Sequence, residues 1–423
     1  MSTDLNYRIR EWAPPPRPEW VKRINEEGAF LDLKGVVPLD ENSLIEHAKR
    51  NTGLSDFGAD DWYEPFQVFI KSLDEEADLS LMGRLMTRSD ILMHLEARLK
   101  IEDAYKKHPE IADEQINNPI FILGSGRSGT SAIQNLLSCD PDNATPKHWE
   151  ALLPAPPPEA ATYETDPRID IADKRMTQWN RVTPEIESMH EFNGRMPTEL
   201  IQIETISFQS FAWLGLYGYC PSYIAYMHGK SALPAFHYAK RVLKLLQWKN
   251  PRKRWLIKSP DALRFLPDLF QVFPDLRLLW MHRDPIKAVS SMVSLVGTLS
   301  WIRSDKVLGE DTLAQVTNPA NLAATLHQAI DWIEQGVIPA KQIANVQYLD
   351  FIDDPLATIE GLYKHLDIEL TPTALAAMRH YLDEHPREQR PAHRYNTGKA
   401  ELYGEERELF ARYENYFGVH REN

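Results

Sequence analysis

The sequence predicts an α/β fold of three layers, a central parallel sheet flanked by helices, and three observations carry that reading. Short apolar runs recur along the later part of the 423-residue chain: IFILG from Ile120, RWLIKSP (Arg254 to Pro260), LRLLWMHRDP (Leu276 to Pro285) and ANVQYLDF (Ala344 to Phe351). Helix-like segments alternate with them, such as DALRFLPDLFQVF (Asp261 to Phe273) and PLATIEGLYKHL (Pro355 to Leu366). The first run turns directly into a glycine loop and a hydroxyl-rich helix start, GSGRSGTS from Gly124 to Ser131. Continuous apolar strands separated by helices are what a parallel sheet covered on both faces requires.

Ahead of the first strand, residues 1–20 are proline-rich and read as an extended arm lying on the surface or on a second copy of the chain, so a homo-oligomer through the N-terminal arm is an expectation. From SLIEHAKRNTG (Ser43 to Gly53) to ILMHLEARLKIEDAYKKHPEI (Ile91 to Ile111) the apolar residues recur at helical spacing. We therefore expect an N-terminal arm and helical extension over 1–115, packed on a core domain over 116–423. Within that domain HWEALLPAPPPEAATYETDPRI (His148 to Ile169) reads as a proline-rich loop over the open end. Residues 170–250 read mostly helical, which makes about 150–250 an insertion. An aromatic-rich patch lies there, formed by Phe208, Phe211, Trp213, Tyr217, Tyr219, Tyr223, Tyr226, Phe236, Tyr238 and Trp248. Most of it is expected in the core, and the rest would line an apolar pocket.

A hydrophobic fraction of 43% and a charged fraction of 26% are ordinary for a globular protein. The two cysteines, Cys139 and Cys220, have neither the number for a disulfide framework nor metal-ligand spacing, so no metal is expected. A formal net charge of −14 disfavours a general nucleic-acid binder and leaves any anion to be held by a few placed cations and backbone N–H groups. The N-terminus carries charges where a secretory leader needs an apolar centre. We see no run approaching the roughly 18 apolar residues of a membrane span. A cytoplasmic protein is the expectation.

In the loop, Gly124, Gly126 and Gly129 permit a turn whose successive N–H groups point inward at an anion. Thr130 and Ser131 then open a helix, whose N-terminal N–H groups and dipole favour a phosphate-like group. The spacing G-x-x-x-x-G-x-S is that of a nucleotide phosphate loop, but Thr130 stands where the lysine is required. Arg127 supplies a cation from a different position. A P-loop phosphotransferase or nucleotide hydrolase is the alternative reading, weakened by that absence.

GSGRSGTS resembles the 5′-phosphosulfate loop of sulfotransferases, in particular the large bacterial branch related to tyrosylprotein sulfotransferases, which use 3′-phosphoadenosine-5′-phosphosulfate (PAPS) as donor. The resemblance implies a P-loop-like fold, a metal-independent reaction, and donor contacts from Gly126, Arg127, Ser128, Gly129, Thr130 and Ser131. A second match is RDPIKAVSS, in which Arg283 and Ser291 stand eight residues apart after a strand; in the family that pair holds the donor's 3′-phosphate. The chemistry is sensible, because a strand-end arginine offers a planar fork of donors and a serine adds a neutral one. WLIKSP resembles the family's strand-ending lysine segment, which implies that Lys258 stabilises oxygens on which charge develops. VQYLDFIDDP resembles the segment whose tyrosine, here Tyr348, packs near the adenine, and PAHRYNTG (Pro391 to Gly398) resembles a nucleotide-covering loop. Two departures stand out. Gly126 occupies a position usually held by proline, and Ala262 one where relatives often carry histidine.

The resemblance implies sulfuryl transfer to a hydroxyl of a small, apolar or aromatic acceptor, assisted by a base. Glu150 is the first choice, with His148 two residues earlier as competitor; in an extended segment the two side chains share a face. A helix-capping acid is the competing role for Glu150. His190 and Glu199 are similarly placed in relatives, without an assigned role. Catalytic residues are thus expected to be Glu150, Lys258, His148 and Arg127. An inactive nucleotide-binding homologue is the remaining alternative.

Overall fold

The computed structural model describes residues 7–10, 12–189, 192–210, 217–386 and 403–422. Five parallel strands form one sheet in the order β2-β3-β1-β4-β5: β1 Ile120–Gly124, β2 Asn143–Ala144, β3 Arg254–Lys258, β4 Arg277–His282 and β5 Ile343–Gln347. β1 lies at the centre, with Ile120 opposite Leu256 of β3 on one side and Arg277 of β4 on the other. The helices that bear on function are α1 (Leu81–Lys107), α2 (Thr130–Leu137), α3 (His148–Leu152), α4 (Leu200–Glu204) and α5 (Leu233–Trp248). In the second half they are α6 (Pro285–Arg303), α7 (Pro319–Glu334), α8 (Tyr348–Asp353), α9 (Pro355–His365) and α10 (Tyr403–Phe417).

Period-two alternation along each strand divides the core. Phe121, Leu123, Trp255, Ile257, Leu278 and Trp280 pack on one face against α1, α5, α7 and α10. Ile120, Ile122, Leu256, Leu279 and Met281 pack on the other against α2 and α9. Both sets are apolar because helices cover both faces, and each fully buried side chain of this size contributes about 1.5–3 kcal/mol. The three-layer fold read from the sequence is the fold observed.

The topology creates the place for a site. The chain leaves β1 towards β2 on one side and leaves β4 towards β5 on the other, so the loops after β1 and β4 diverge and open a crevice at their carboxyl ends. His282, the last residue of β4, is fully buried there as a neutral imidazole: Nε2 donates to Asn345 Oδ1 at 2.8 Å, and Nδ1 accepts from the Tyr413 hydroxyl at 2.9 Å.

The structure adds one strand and corrects two local readings. β2 is only two residues long and pairs with Arg254 and Trp255, too short to leave a periodic signal. The run ANVQYLDF is strand only to Gln347; Tyr348 starts α8, which turns its ring out of the sheet and over the β1 loop. The helix expected over Asp261–Phe273 is a 3-10 turn, Pro260–Arg264, followed by a helix at Leu266–Val272 with Pro267 in its first turn.

Arg17 and Pro15 of the proline-rich arm contact the rest of the chain. Arg17 lies over the Trp301 ring at 4.0 Å, pairs with Asp305 at 2.8 Å and donates to the carbonyls of Trp301 and Ser304, and Trp301 Nε1 donates to Pro15 O at 3.1 Å. Helix α6, which the arm touches, is long and apolar enough by length and composition to cross a membrane, unlike any run noted from the sequence. Of its most apolar stretch, 78% is buried inside the protein. Phe208, Tyr217, Tyr223, Phe236 and Tyr238 of the aromatic patch are core residues, whereas Phe211 and Trp213 lie outside the described residues.

His94 and His282 are both buried, and desolvation lowers each from 6.5 to about 4. Below pH about 6.5 the unfolded chain takes up protons on these rings that the folded chain refuses, so stability falls as pH drops from about 6.5 towards 4. Urea unfolding followed by tryptophan fluorescence is expected to show midpoints declining through that window, with a shallower decline in His282→Gln.

Candidate active site

The loop after β1 is closely packed at its glycines, where Met292 stands against Gly126 and Tyr348 against Gly129. At Gly124 a Cβ would lie 2.4 Å from Ser128 Oγ and 2.6 Å from the Met281 carbonyl oxygen. Gly129 has φ +92° and precedes α2, a backbone state that glycine adopts without strain, and Arg127 shares the left-handed region at φ +70°. Thr130 is the first residue of α2, so the turn delivers the chain to a helix N-terminus whose first N–H groups have no intrahelical partner. The hydroxyls of Ser125 and Ser128 are buried in the same loop without a hydrogen-bond partner. Two buried, unpartnered hydroxyls beside a helix N-terminus fit an oxyanion ligand such as the phosphosulfate of the expected donor.

Two arginines flank the loop across the β1–β4 crevice. Arg127 Nε donates to Ser291 Oγ of α6 at 2.9 Å, and Nη1 donates to the Met189 carbonyl at 2.7 Å. Arg283, directly after β4, donates from Nη1 to the Arg127 carbonyl at 2.7 Å. Its other face meets Glu422, with Nε–Oε1 at 2.6 Å and Nη2–Oε2 at 2.8 Å. Its guanidinium carbon lies 4.2 Å from the centre of the Tyr348 ring, and that ring would stand 2.8 Å from a Cβ on Gly129. Arg127, Gly129, Arg283, Ser291 and Tyr348, picked from segments more than two hundred residues apart, thus form one connected group. Asp284 braces it from below: fully buried, it caps α6 through Ile286 N at 3.0 Å and takes both terminal nitrogens of Arg407 at 2.8 and 2.7 Å.

At the carboxyl end of β3 stands Lys258, its side chain 2% exposed. Its ammonium donates to Ser131 Oγ at 2.7 Å and meets Glu199 Oε1 at 2.8 Å. Glu199 reaches it because the segment before α4 is extended (φ −99°, ψ 152°) and runs parallel beside Lys258 through a backbone bridge. A nearly buried ammonium requires such a partner, since an unpaired charge in that position is strongly unfavourable. Lys258 therefore links the anion loop, through Ser131, to a carboxylate that the sequence reading left without a role. The signal was faint: an acid directly before an apolar helix in PTELIQIE, whose partner on β3 is 59 positions away.

His148 and Glu150 do not share a face. Their segment is α3, not an extended strand, and residues two apart on a helix point to different sides. His148 Nδ1 donates to Gln202 Oε1 at 2.8 Å, and the ring packs edge-on against Phe192. Gln202 Oε1 also accepts from the Thr198 hydroxyl at 2.6 Å, so His148 supports the segment that carries Glu199. Glu150 is fully buried, with Oε1 on Arg252 Nη2 at 2.7 Å and Oε2 on the Lys147 N–H at 2.9 Å in a capping box. Burial pushes its carboxyl up and Arg252 holds it back. These partners are the ones a capping acid needs, and none belongs to the Lys258 group. His190 and the segment Pro391 to Gly398 lie outside the described residues.

Residues 119–372, well over half of the chain, match the family model described as the sulfotransferase family. Omega-hydroxy-beta-dihydromenaquinone-9 sulfotransferases Stf3 of Mycobacterium bovis and Mycobacterium tuberculosis are each 23% identical over 283 residues, 63% of this chain and 67% of theirs. Among solved structures, sulfotransferase STF9 of Mycobacterium avium superposes with a TM-score of 0.78 at 24% identity, over 90% of this chain and 98% of its own. Sulfotransferase STF1 of M. tuberculosis H37Rv gives 0.73 at 27% identity, over 88% and 98%. The glycine loop, the strand-end lysine and the paired arginines are thus held in a chain that belongs to the sulfotransferase family.

Proposed function

We propose that the protein transfers a sulfuryl group from PAPS to a hydroxyl of a small apolar acceptor. The observation that carries the proposal is the Ser131–Lys258–Glu199 chain of contacts, which places a cation and a carboxylate side by side at the edge of the oxyanion loop. When bound, PAPS supplies the sulfuryl group, and 3′-phosphoadenosine-5′-phosphate is the product.

Each end of the donor has its residues. The loop residues Gly126, Ser128, Gly129, Thr130 and Ser131 hold the phosphosulfate through N–H and hydroxyl donors, with Arg127 beside them. Arg283 and Ser291 hold the 3′-phosphate, and Tyr348 offers an aromatic face next to Gly129 and under Arg283. Arg283 releases Glu422 when a phosphate arrives, since a more highly charged anion competes better for the same planar fork.

Glu199 accepts the proton of the acceptor hydroxyl, and Lys258 steadies negative charge on the oxygens next to it. This assigns the base to Glu199 in place of Glu150 and His148. Glu199 touches the lysine at the end of the loop and keeps 19% of its side chain exposed, whereas Glu150 is sealed against Arg252. The relatives named for an ω-hydroxylated dihydromenaquinone support an apolar alcohol as acceptor class.

Transfer from radiolabelled PAPS to a panel of alcohols tests the reading. Glu199→Gln is expected to lower kcat at least about 100-fold, the usual scale for a lost proton acceptor, with the folded state retained. Glu150→Gln is expected to act instead on stability, since Arg252 loses its buried counter-charge; breaking such pairs costs about 3–5 kcal/mol. The reverse pattern, stability lost with Glu199 and turnover lost with Glu150 at full stability, would return the base to Glu150. Gly129→Ala adds a Cβ 2.8 Å from Tyr348 at φ +92°, and a rise of about ten-fold or more in the Michaelis constant for PAPS is expected from that strain.

A further inference from the structure

The segment that follows α10 returns to the proposed 3′-phosphate end of the site. Gly418, at φ +61°, turns the backbone out of that helix, and the Val419 N–H donates to the Glu414 carbonyl at 2.9 Å. Arg421 then pairs with the Glu414 carboxylate at 2.6 Å, and the Glu422 N–H donates to Asp284 Oδ2 at 3.0 Å. This path lays the Glu422 carboxylate on Arg283, with one oxygen on Nε at 2.6 Å and the other on Nη2 at 2.8 Å. Nη1 of the same guanidinium is committed to the Arg127 carbonyl at 2.7 Å. A guanidinium edge with two parallel N–H groups grips a carboxylate and a phosphate in the same bidentate way. Glu422 therefore shows Arg283 the two-oxygen face that a phosphate would show it.

Resting on the donor reading above, we propose that Glu422 is an internal competitor for the 3′-phosphate: the carboxylate and the phosphate alternate on Arg283, which weakens the hold on donor and product and eases the product's release. Three observations carry the assignment. The pair is within reach of a ligand, with 14% of the Arg283 side chain and 16% of that of Glu422 exposed, whereas Asp284 of the neighbouring Arg407 pair is sealed. The segment can lift at Gly418 at little cost, because Asp284 keeps both terminal nitrogens of Arg407 and the Ile286 N–H when the Glu422 N–H departs. Arg283 itself stays in place, held by the Arg127 carbonyl and the Tyr348 ring, so only its partner changes. A tethered carboxylate acts at high effective concentration, and it competes although the more highly charged phosphate makes the stronger fork. The coupling is reciprocal: as far as the phosphate loosens Glu422, Glu422 loosens the phosphate. Donor and product both carry the 3′-phosphate, so the competition acts on both alike.

Calorimetric titration of the wild type, Glu422→Gln and Glu422→Ala tests the competition on the full chain. The two ligands are 3′-phosphoadenosine-5′-phosphate and adenosine 5′-phosphosulfate, which lacks the 3′-phosphate. Both variants are expected to bind the first about ten-fold more tightly than the wild type does, and the second within about two-fold of it. Amide hydrogen exchange of the wild type is the second measurement, and it decides if the variants do not fold. The first ligand is expected to speed exchange in residues 420–422, and the second to leave it unchanged. Variants that bind 3′-phosphoadenosine-5′-phosphate no more tightly than the wild type, equal gains for both ligands, or exchange indifferent to the 3′-phosphate would overturn the proposal and leave the donor site standing. Binding of that ligand by neither the wild type nor the variants would contradict the donor reading and the competition with it.

Discussion

An ammonium group at the end of a central strand, with almost none of its side chain in water, persists only if a carboxylate meets it, and Glu199 meets Lys258 at 2.8 Å. That requirement organises the surrounding chain. It holds the residues before α4 extended beside β3, fixes where α4 starts, and leaves Ser131 as the hydroxyl between the lysine and the glycine loop. His148 and Thr198 converge on Gln202 to brace the same segment. The Lys258–Glu199 group is therefore a property of the contact between the sheet and the segment that carries α4, and neither part builds it alone.

A second electrostatic pole stands across the crevice. Arg127 and Arg283 are both polarised and held: one by Ser291 and a carbonyl, the other by Glu422 above an aromatic ring. Beneath them Asp284, Arg407 and Glu414 form a chain of ion pairs that ties α10 to the start of α6. Under the proposed function, two cationic poles on one crevice give a strongly anionic nucleotide a local, preorganised attraction in a chain with a net charge of −14.

The sheet and the residues proposed for the donor were legible because their signals are local. Uniformly apolar strands, a loop with three glycines, and an arginine and a serine eight positions apart each occupy one short stretch. The proposed base, Glu199, was not legible, because its assignment depends on which of several acids a distant strand pairs with. Glu150 follows the loop helix at a plausible distance, yet its segment coils into α3 and presents the carboxyl to Arg252. Glu199 gave only a faint local sign, and Tyr348 was read in a strand although it starts α8 and leaves the sheet. β2 escaped for another reason: two residues cannot display a period.

The proposed donor side is built from backbone and charge, which tolerate little variation. The central claim is that the crevice between β1 and β4 is a nucleotide phosphosulfate site. Titration of the purified protein with 3′-phosphoadenosine-5′-phosphate, and separately with ATP and magnesium, repeated on Arg283→Ala, tests it most directly. The account predicts binding of the first ligand, weakened by about ten-fold or more in the variant, the scale of a lost charge-assisted fork. Binding of ATP with magnesium alone, or affinity indifferent to Arg283, would contradict it.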